Sequence, residues 1–238
     1  MGDSNRSEIL YSLYKRSRIL PTLYWAGRER REKYVSRRRG LAFDRLHDVE
    51  TEEGFGPLNL GLPSELAAHS SAYNPIDPVI FARVMDLLKI DPKGFCFIDI
   101  GSGKGRGLFL AEKHGFRRIL GIEFSAKVHR VAVENLRRYR ARISRDPRIE
   151  LLDCDALALN YPAEPTVVFM FNPFDAVIMA KFVSKMESSL AQHPRDFYLI
   201  YVHPYAEPSL AGSKSLKKIS EERRKYNFVV YQWVDSAS

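Results

Sequence analysis

The residues best placed to do chemistry follow a short apolar run near the middle of the chain. The run, residues 95–100, carries an acid next to its end, and glycines recur at every second position after it: Gly101, Gly103, Gly105 and Gly107. Such a run bounded by glycines is typical of a buried strand. The glycines allow a tight turn and a close approach of the backbone to a ligand. We therefore expect a loop for a nucleoside-type ligand at the carboxyl end of a first strand.

Three glycine-loop chemistries compete for this stretch. A phosphate-binding P-loop needs a glycine five residues before the Gly-Lys pair and Ser or Thr after it, but Ile98 and Gly105 occupy those positions around Gly103-Lys104. A dinucleotide fold needs Gly-x-Gly-x-x-Gly, and Arg106 stands where its third glycine belongs. A tight strand-to-helix turn that binds no ligand is the remaining structural alternative.

The third pattern, Asp-x-Gly-x-Gly-x-Gly, is met by Asp99, Gly101, Gly103 and Gly105. It resembles the first motif of class I S-adenosylmethionine-dependent methyltransferases. S-adenosylmethionine has no phosphate; it has a methionine ammonium, a carboxylate and a sulfonium. The resemblance implies that Asp99 and the loop backbone, with Ser102, hold the methionine end of this cofactor.

Further acids follow the next two predicted strands, Glu123 after the second and Asp155 after the third. The carboxyl ends of parallel strands share one sheet edge, where ligands of open α/β sheets collect. Glu123 is predicted to accept from the ribose hydroxyls, and Asp155, with Ala156 beside it, from the adenine amine. Phe124 is predicted to pack on the adenine ring.

The fourth predicted strand ends in Asn172-Pro173-Phe174. This string is similar to the Asn/Asp-Pro-Pro-Tyr/Phe motif of methyltransferases that act on nitrogen, although the second proline is missing. The resemblance implies an acceptor nitrogen held by Asn172 and Pro173 and stacked on Phe174, whereas an Asn-Pro turn is the alternative. His203 follows the fifth strand and is either a general base or structural.

Residues 41–205 resemble a bacterial family of class I methyltransferases whose substrates are mostly unassigned. The strings that carry the resemblance are residues 43–45, 48–51, 73–75, 99–106, 116–123, 155–156 and 172–174. It implies a Rossmann-like methyltransferase fold with a mostly parallel seven-stranded sheet flanked by helices, behind a helical or irregular N-terminal extension. We expect residues 1–75 to form that extension and cap, and residues 76–238 the cofactor-binding domain. Tyr73 is a further cofactor-site candidate.

Alternating apolar runs and amphipathic stretches place the elements that must position these residues. Strands are predicted at residues 95–100, 119–123, 149–152, 166–171, 197–202 and 228–233, and helices at 78–90, 108–114, 126–141 and 176–191. Asp77 is predicted to cap the first of these helices. Residues 41–78 are interpreted as an ordered but irregular connection.

The net charge of +8 is concentrated at the amino terminus, because residues 1–40 hold 11 Lys/Arg against 4 Asp/Glu. That asymmetry is typical of a protein with an anionic partner such as nucleic acid. We favour the plainer interpretation of residues 28–39, a solvated helix packed through Tyr24, Trp25, Tyr34 and Val35.

Two isolated cysteines, Cys96 and Cys154, predict reduced thiols and a cytoplasmic protein. The sequence has no apolar run that approaches a membrane span, and no clustered metal ligands that predict a metal site.

The function predicted on these grounds is S-adenosylmethionine-dependent methyl transfer to a nitrogen of a protein, nucleic acid or small molecule. Two alternatives remain: a non-catalytic cofactor-binding module that acts through its basic arm, and a nicotinamide-dependent oxidoreductase.

Overall fold

The structure is a computed structural model that describes residues 19–56, 59–62, 68–144, 146–223 and 226–234, with side chains from residue 30 onward in these ranges. Seven strands of this part of the chain form one sheet: β1 (Cys96–Ile100), β2 (Arg118–Glu123), β3 (Ile149–Asp153), β4 (Thr166–Phe171), β5 (Phe197–Val202), β6 (Leu216–Glu222) and β7 (Phe228–Trp233). The α-helices of nine or more residues in this part of the chain are α1 (Ile19–His47), α2 (Pro78–Leu88), α3 (Arg106–His114), α4 (Ala126–Arg142) and α5 (Ala176–Gln192).

The sheet has the strand order β3-β2-β1-β4-β5-β7-β6. Strands β1 to β5 are parallel to one another, and β7 is antiparallel to both β5 and β6. The order reverses between β1 and β4, and such a switch point opens a crevice at the carboxyl ends of the strands. The mostly parallel seven-stranded sheet and its flanking helices confirm the predicted fold class.

Alternation along β1 divides the core into two layers, because successive side chains of a strand point to opposite faces. Phe97 packs with Phe81 of α2 and Phe169 of β4, at ring-centroid distances of 5.8 and 5.9 Å. Ile98 and Ile100 belong to the opposite core cluster, which includes residues of α5. Asp99 therefore points to the same side of the sheet as Phe97.

Three of the described helices begin at residues whose side chains cap them: Asp77, Ser125 and Asp175. Asp77 accepts from the Val79 N–H at 2.7 Å, as predicted, and starts α2. Ser125 accepts from the Val128 N–H at 3.2 Å and starts α4. These caps satisfy backbone donors that have no partner inside the helix, and they fix where each helix leaves the sheet edge.

The N-terminal helix differs from its prediction. Residues 41–47 were expected to be irregular, but α1 continues to His47. Phe43 and His47 lie one turn apart, both are buried, and their rings are 4.5 Å apart. Tertiary packing of this face stabilises the extra turns.

Tyr34, expected to pack on the domain, is instead 62% exposed, so that part of the prediction was wrong. Residues 1–18 and the side chains of Tyr24 and Trp25 lie outside the description.

Strand β6 had no predicted residue range. Its sequence, Leu216–Glu222, carries Lys217, Lys218, Glu221 and Glu222, and a charged strand at the sheet edge lacks the apolar pattern of a buried one.

In the part of the chain that is described, no helix is long and apolar enough to cross a membrane.

Candidate functional site

The glycine loop leaves β1 and enters α3 through three residues in the left-handed region. Gly101, Gly103 and Gly105 have φ of 73°, 56° and 93°, a conformation that residues with a side chain rarely adopt. A Cβ on Gly101 would lie 2.8 Å from Pro173, and one on Gly103 would collide with the Tyr73 ring. The glycine spacing thus serves both the turn and the close packing of two predicted site residues.

Asp99, the acid of the motif, is buried, with 4% exposure. Its Oδ2 faces Gly107 in the first turn of α3, so closely that a Cβ there would collide with it. Among the described residues, no hydrogen bond to this carboxyl is found. Burial raises the pKa of Asp99 to about 8, and the nearby Glu123 carboxylate adds to the shift. A cation beside Asp99 would reverse that shift, because it favours the ionised form.

Glu123 is held by the backbone on both sides. Its Oε2 accepts from the Gly103 N–H at 2.9 Å, and its Oε1 accepts from the Ser125 N–H at 2.8 Å. Burial raises the pKa of Glu123 even though these hydrogen bonds oppose the shift. Each carboxylate oxygen has a second lone pair, so a fixed Glu123 can still accept from a pair of hydroxyl groups. Near it, the Ser102 Oγ is buried and has no partner in the described part of the chain.

A cavity lies at the carboxyl ends of β1, β2 and β3. Eight predicted site residues border it: Tyr73, Gly101, Glu123, Phe124, Asp155, Ala156, Pro173 and Phe174. Asp155 is exposed and accepts from the Leu157 N–H at 2.8 Å, and Phe124 is 41% exposed. Asp99, Ser102, Gly103 and Gly105 do not border this cavity. The structure therefore brings the predicted ribose and adenine residues together on one wall and keeps four loop residues off it.

The turn after β4 is paired with the segment around Ser71. The Ser71 N–H donates to the Pro173 carbonyl at 3.1 Å. Asn172 has φ of 42°; its Oδ1 accepts from the Tyr201 hydroxyl at 3.0 Å, and its Nδ2 donates to the Ser71 Oγ at 3.1 Å. One lone pair and one N–H of the amide remain for a ligand.

His203 and Asn172 border a second cleft rather than the cavity. The His203 ring lies 5.0 Å from the Phe171 ring, and burial lowers the pKa of His203. Its Nδ1 is 3.2 Å from the Asn227 Nδ2. When the Asn227 amide donates to Nδ1, the proton of the neutral His203 ring lies on Nε2. His203 then offers a hydrogen-bond donor to the cleft. The predicted general-base role of His203 therefore requires the other tautomer and a turned Asn227 amide.

Arg106 received no role from the sequence, yet it joins the loop to the N-terminal segment. It is 2% exposed; its Nε donates to the Thr51 Oγ1 at 2.6 Å, its Nη1 to Glu52 at 2.7 Å and its Nη2 to Asp44 at 3.2 Å. A cation in the first turn of a helix is disfavoured by the helix dipole. That placement was a signal in the sequence that an acid must lie close to Arg106.

Two other residues near the cavity were also missed. Lys104 is buried, with its Nζ 4.8 Å from the Phe55 ring centroid. His69 borders the cavity, and its Nδ1 lies 2.6 Å from the Asp175 Oδ2. The hydrogen bond from His69 lowers the pKa of Asp175. A lone histidine in an irregular segment carried no spacing signal that linked it to an acid 106 residues later.

The residues present fit S-adenosylmethionine. No hydrogen bond to the buried Asp99 carboxyl is found among the described residues, and the Ser102 hydroxyl of the same loop also has no partner among them. Neither group borders the cavity, but both lie in the loop at its edge, where the carboxyl suits an ammonium. Glu123 is fixed with acceptor capacity left for vicinal hydroxyls. The side chains of Phe124 and Asp155 border the same cavity and offer a ring face and an acceptor to a planar base. The site can therefore bind a cationic, ribose-containing nucleoside.

No protein-family model matches the chain, and no curated protein matches it. A putative methyltransferase from Escherichia coli has 15% identity and a TM-score of 0.50 over 67% of this chain and 87% of that one. The magnesium protoporphyrin IX methyltransferase from Synechocystis PCC 6803 has 16% identity and a TM-score of 0.49 over 67% and 77%. An RNA methyltransferase from Salinibacter ruber has 20% identity and a TM-score of 0.46 over 68% and 92%. The likeness to the Escherichia coli protein shows that the chain has the Rossmann-like methyltransferase fold.

Proposed function

We propose that the protein is an S-adenosylmethionine-dependent methyltransferase. The observation that carries this proposal is the set of acids, Asp99, Glu123 and Asp155, at the carboxyl ends of three adjacent parallel strands around one glycine loop. We assign Asp99 to the methionine ammonium, Glu123 to the ribose hydroxyls and Asp155 to the adenine amine. Phe124 and Ala156 are assigned to the faces of the adenine ring.

The cofactor supplies a methyl group activated by a sulfonium. Because the leaving sulfide is neutral, the protein has to align the acceptor, exclude water and let a proton leave. We assign Asn172, Pro173 and Phe174 to the acceptor. The lone pair left on the Asn172 Oδ1 supports a nitrogen acceptor, since an amino group can donate a hydrogen bond to it. His203 is a candidate for contact with the acceptor from the neighbouring cleft.

We also propose that residues 1–75 act as a cap over this site and that residues 1–40 face an anionic partner. The exposed Arg30 and Arg37, which lie two turns apart on α1, support the second point. A cytoplasmic location is proposed from the free cysteines Cys96 and Cys154. The nicotinamide-dependent alternative is weaker, because the glycine spacing of a dinucleotide loop is not met.

Calorimetric titration with S-adenosylhomocysteine tests the cofactor assignment. We expect saturable binding at one site and no binding of NAD or NADP. Absence of S-adenosylhomocysteine binding by protein that circular dichroism shows to be folded would exclude the methyltransferase function. Incorporation of labelled methyl groups into protein, RNA and small-molecule acceptors then separates the enzyme from a non-catalytic module, which binds the cofactor and transfers nothing.

A further inference from the structure

A second cleft of about 620 Å³ adjoins the cofactor cavity, and its size is ordinary for a ligand site. We call it the acceptor cleft and define it by Lys33, Arg37, Asn74, Asn172, His203 and Tyr205. Ser71, Ala72, Asn74 and Phe171 border both spaces. A ligand in the acceptor cleft therefore lies next to whatever occupies the cofactor cavity.

The charge of the acceptor cleft is positive. Lys33 and Arg37 come from α1, and the acid on the wall, Glu52, is bound to Arg106 at 2.7 Å. Arg30, Lys33 and Arg37 are spaced at i, i+3 and i+7, so they share one face of α1. At 1.5 Å per residue this basic face spans about 10 Å along the helix from Arg30 to Arg37. An anion longer than a single phosphate can therefore be accommodated.

Aromatic rings lead from the cavity to the mouth of the acceptor cleft. The Phe171 ring is 5.0 Å from the His203 ring, and the His203 ring is 6.2 Å from the Tyr205 ring with 29° between their planes. Tyr205 is 74% exposed. Aromatic faces beside cations are the surface that unpaired nucleobases use, because bases stack on the rings while phosphates pair with the cations.

We propose that the acceptor cleft binds single-stranded nucleic acid, with one base stacked on Tyr205 and a neighbouring phosphate at Arg37. The strand is also the methyl acceptor, a step that rests on the proposed function. A nitrogen lone pair of the base forms the new N–C bond while the S–C bond breaks with its electron pair left on the sulfide; the nitrogen's proton goes to water. A duplex fits poorly, because its bases must leave the stack to reach the cleft.

The test is fluorescence anisotropy of a labelled 12-nucleotide RNA of mixed sequence with the full chain saturated in S-adenosylhomocysteine. We expect Arg37→Gln to weaken binding about ten-fold and to lower the slope of log affinity against log salt by about 0.7. Tyr205→Ala should weaken binding about ten-fold through lost stacking. Arg38→Gln is the matched control: it removes the same charge one residue away, does not border the cleft, and should change binding less than three-fold.

Equal loss in Arg37→Gln and Arg38→Gln would overturn the proposal, because it would indicate general attraction to a basic helix. Binding of duplex RNA or of a poly-glutamate peptide as tight as that of the single strand would also overturn it. Competition by AMP at the same concentration as the oligonucleotide would overturn it too, because it would show that the cleft binds a free nucleotide. Titration of the same samples with S-adenosylhomocysteine separates failure of the acceptor assignment from failure of the proposed function. Cofactor binding without RNA binding refutes only the acceptor assignment, whereas loss of both in the folded wild-type chain refutes the proposed function.

Discussion

The strongest test of the cofactor assignment is whether binding expels a proton from Asp99. The carboxyl is buried without a partner among the described residues, and its pKa is raised to about 8. In the free protein at neutral pH it is therefore mostly protonated. The ammonium of S-adenosylhomocysteine placed beside it favours the carboxylate, so the proton must leave when the ligand binds.

The magnitude follows from the raised pKa. With a free value near 8 and a bound value below about 5, binding at pH 7 should release about 0.9 proton. Affinity should rise about nine-fold from pH 6 to pH 7 and about five-fold from pH 7 to pH 8 and then level off, because below pH 8 binding must first remove the proton. Affinity increases with pH because the pKa of the Asp99 carboxyl is raised in the free protein and lowered in the complex.

Calorimetric titrations at pH 7 in phosphate, HEPES and Tris measure the released protons, since the observed enthalpy varies with the ionisation enthalpy of the buffer. Asp99→Asn cannot ionise, so it should release none of these protons. At pH 8 it should bind about 10- to 150-fold more weakly than the wild type, the cost of one charge-assisted hydrogen bond. That deficit should nearly vanish by pH 6, where the wild type must first lose its proton.

Asp153→Asn is the matched control, because it neutralises an exposed acid at the end of β3 that does not border the cavity. Its buffer dependence and pH slope should equal those of the wild type. Tight binding with no proton release and a flat affinity from pH 6 to pH 8 would refute the reasoning. It would mean that Asp99 is already ionised in the free protein or does not meet the ammonium.

Two further predictions concern the loop and the nucleoside wall. Arg106→Met should lower the free energy of unfolding by about 3–5 kcal/mol in urea titrations, because it leaves Asp44 and Glu52 without their buried cation. Substitution of the exposed Arg45 by Met is the control, and equal stability of the two variants would contradict the role of Arg106. Glu123→Gln should weaken S-adenosylhomocysteine binding about ten-fold, since the amide retains one acceptor oxygen where the carboxylate had two; binding unchanged in calorimetry would remove Glu123 from the ribose site.

Much of the sheet was predictable because its strands are continuous apolar runs. The bounds of β4, β5 and β7 agree with the predicted ranges 166–171, 197–202 and 228–233. Burial on both faces gives this pattern in the parallel strands β4 and β5, and the first four residues of the antiparallel β7 are buried as well. The edge strand β6 lacked it, because its solvent-exposed face carries charges, and the last turns of α1 depend on packing of Phe43 and His47 that no local pattern reveals.

The identities of the candidate site residues followed from their positions after strands, but their division between two spaces did not. A residue's place after a strand gives the sheet edge, whereas the direction of its side chain depends on the strand's alternation and on the turn. Asp99 points to the α3 side and is buried, whereas Glu123 borders the cavity. Asn172, next in sequence to Pro173, borders the acceptor cleft.

Arg106 connects these two spaces in a way that sequence spacing cannot express. It starts α3 directly after the glycine loop, and its guanidinium holds Asp44 near the end of α1. Arg37, on the acceptor-cleft wall, lies two turns earlier on the same helix. If cofactor binding displaces the loop, the contact between Arg106 and Asp44 joins that displacement to the helix that carries Arg37. Coupling between two sites is reciprocal; hence an anion at Arg37 must change cofactor affinity by the same factor by which the cofactor changes anion affinity.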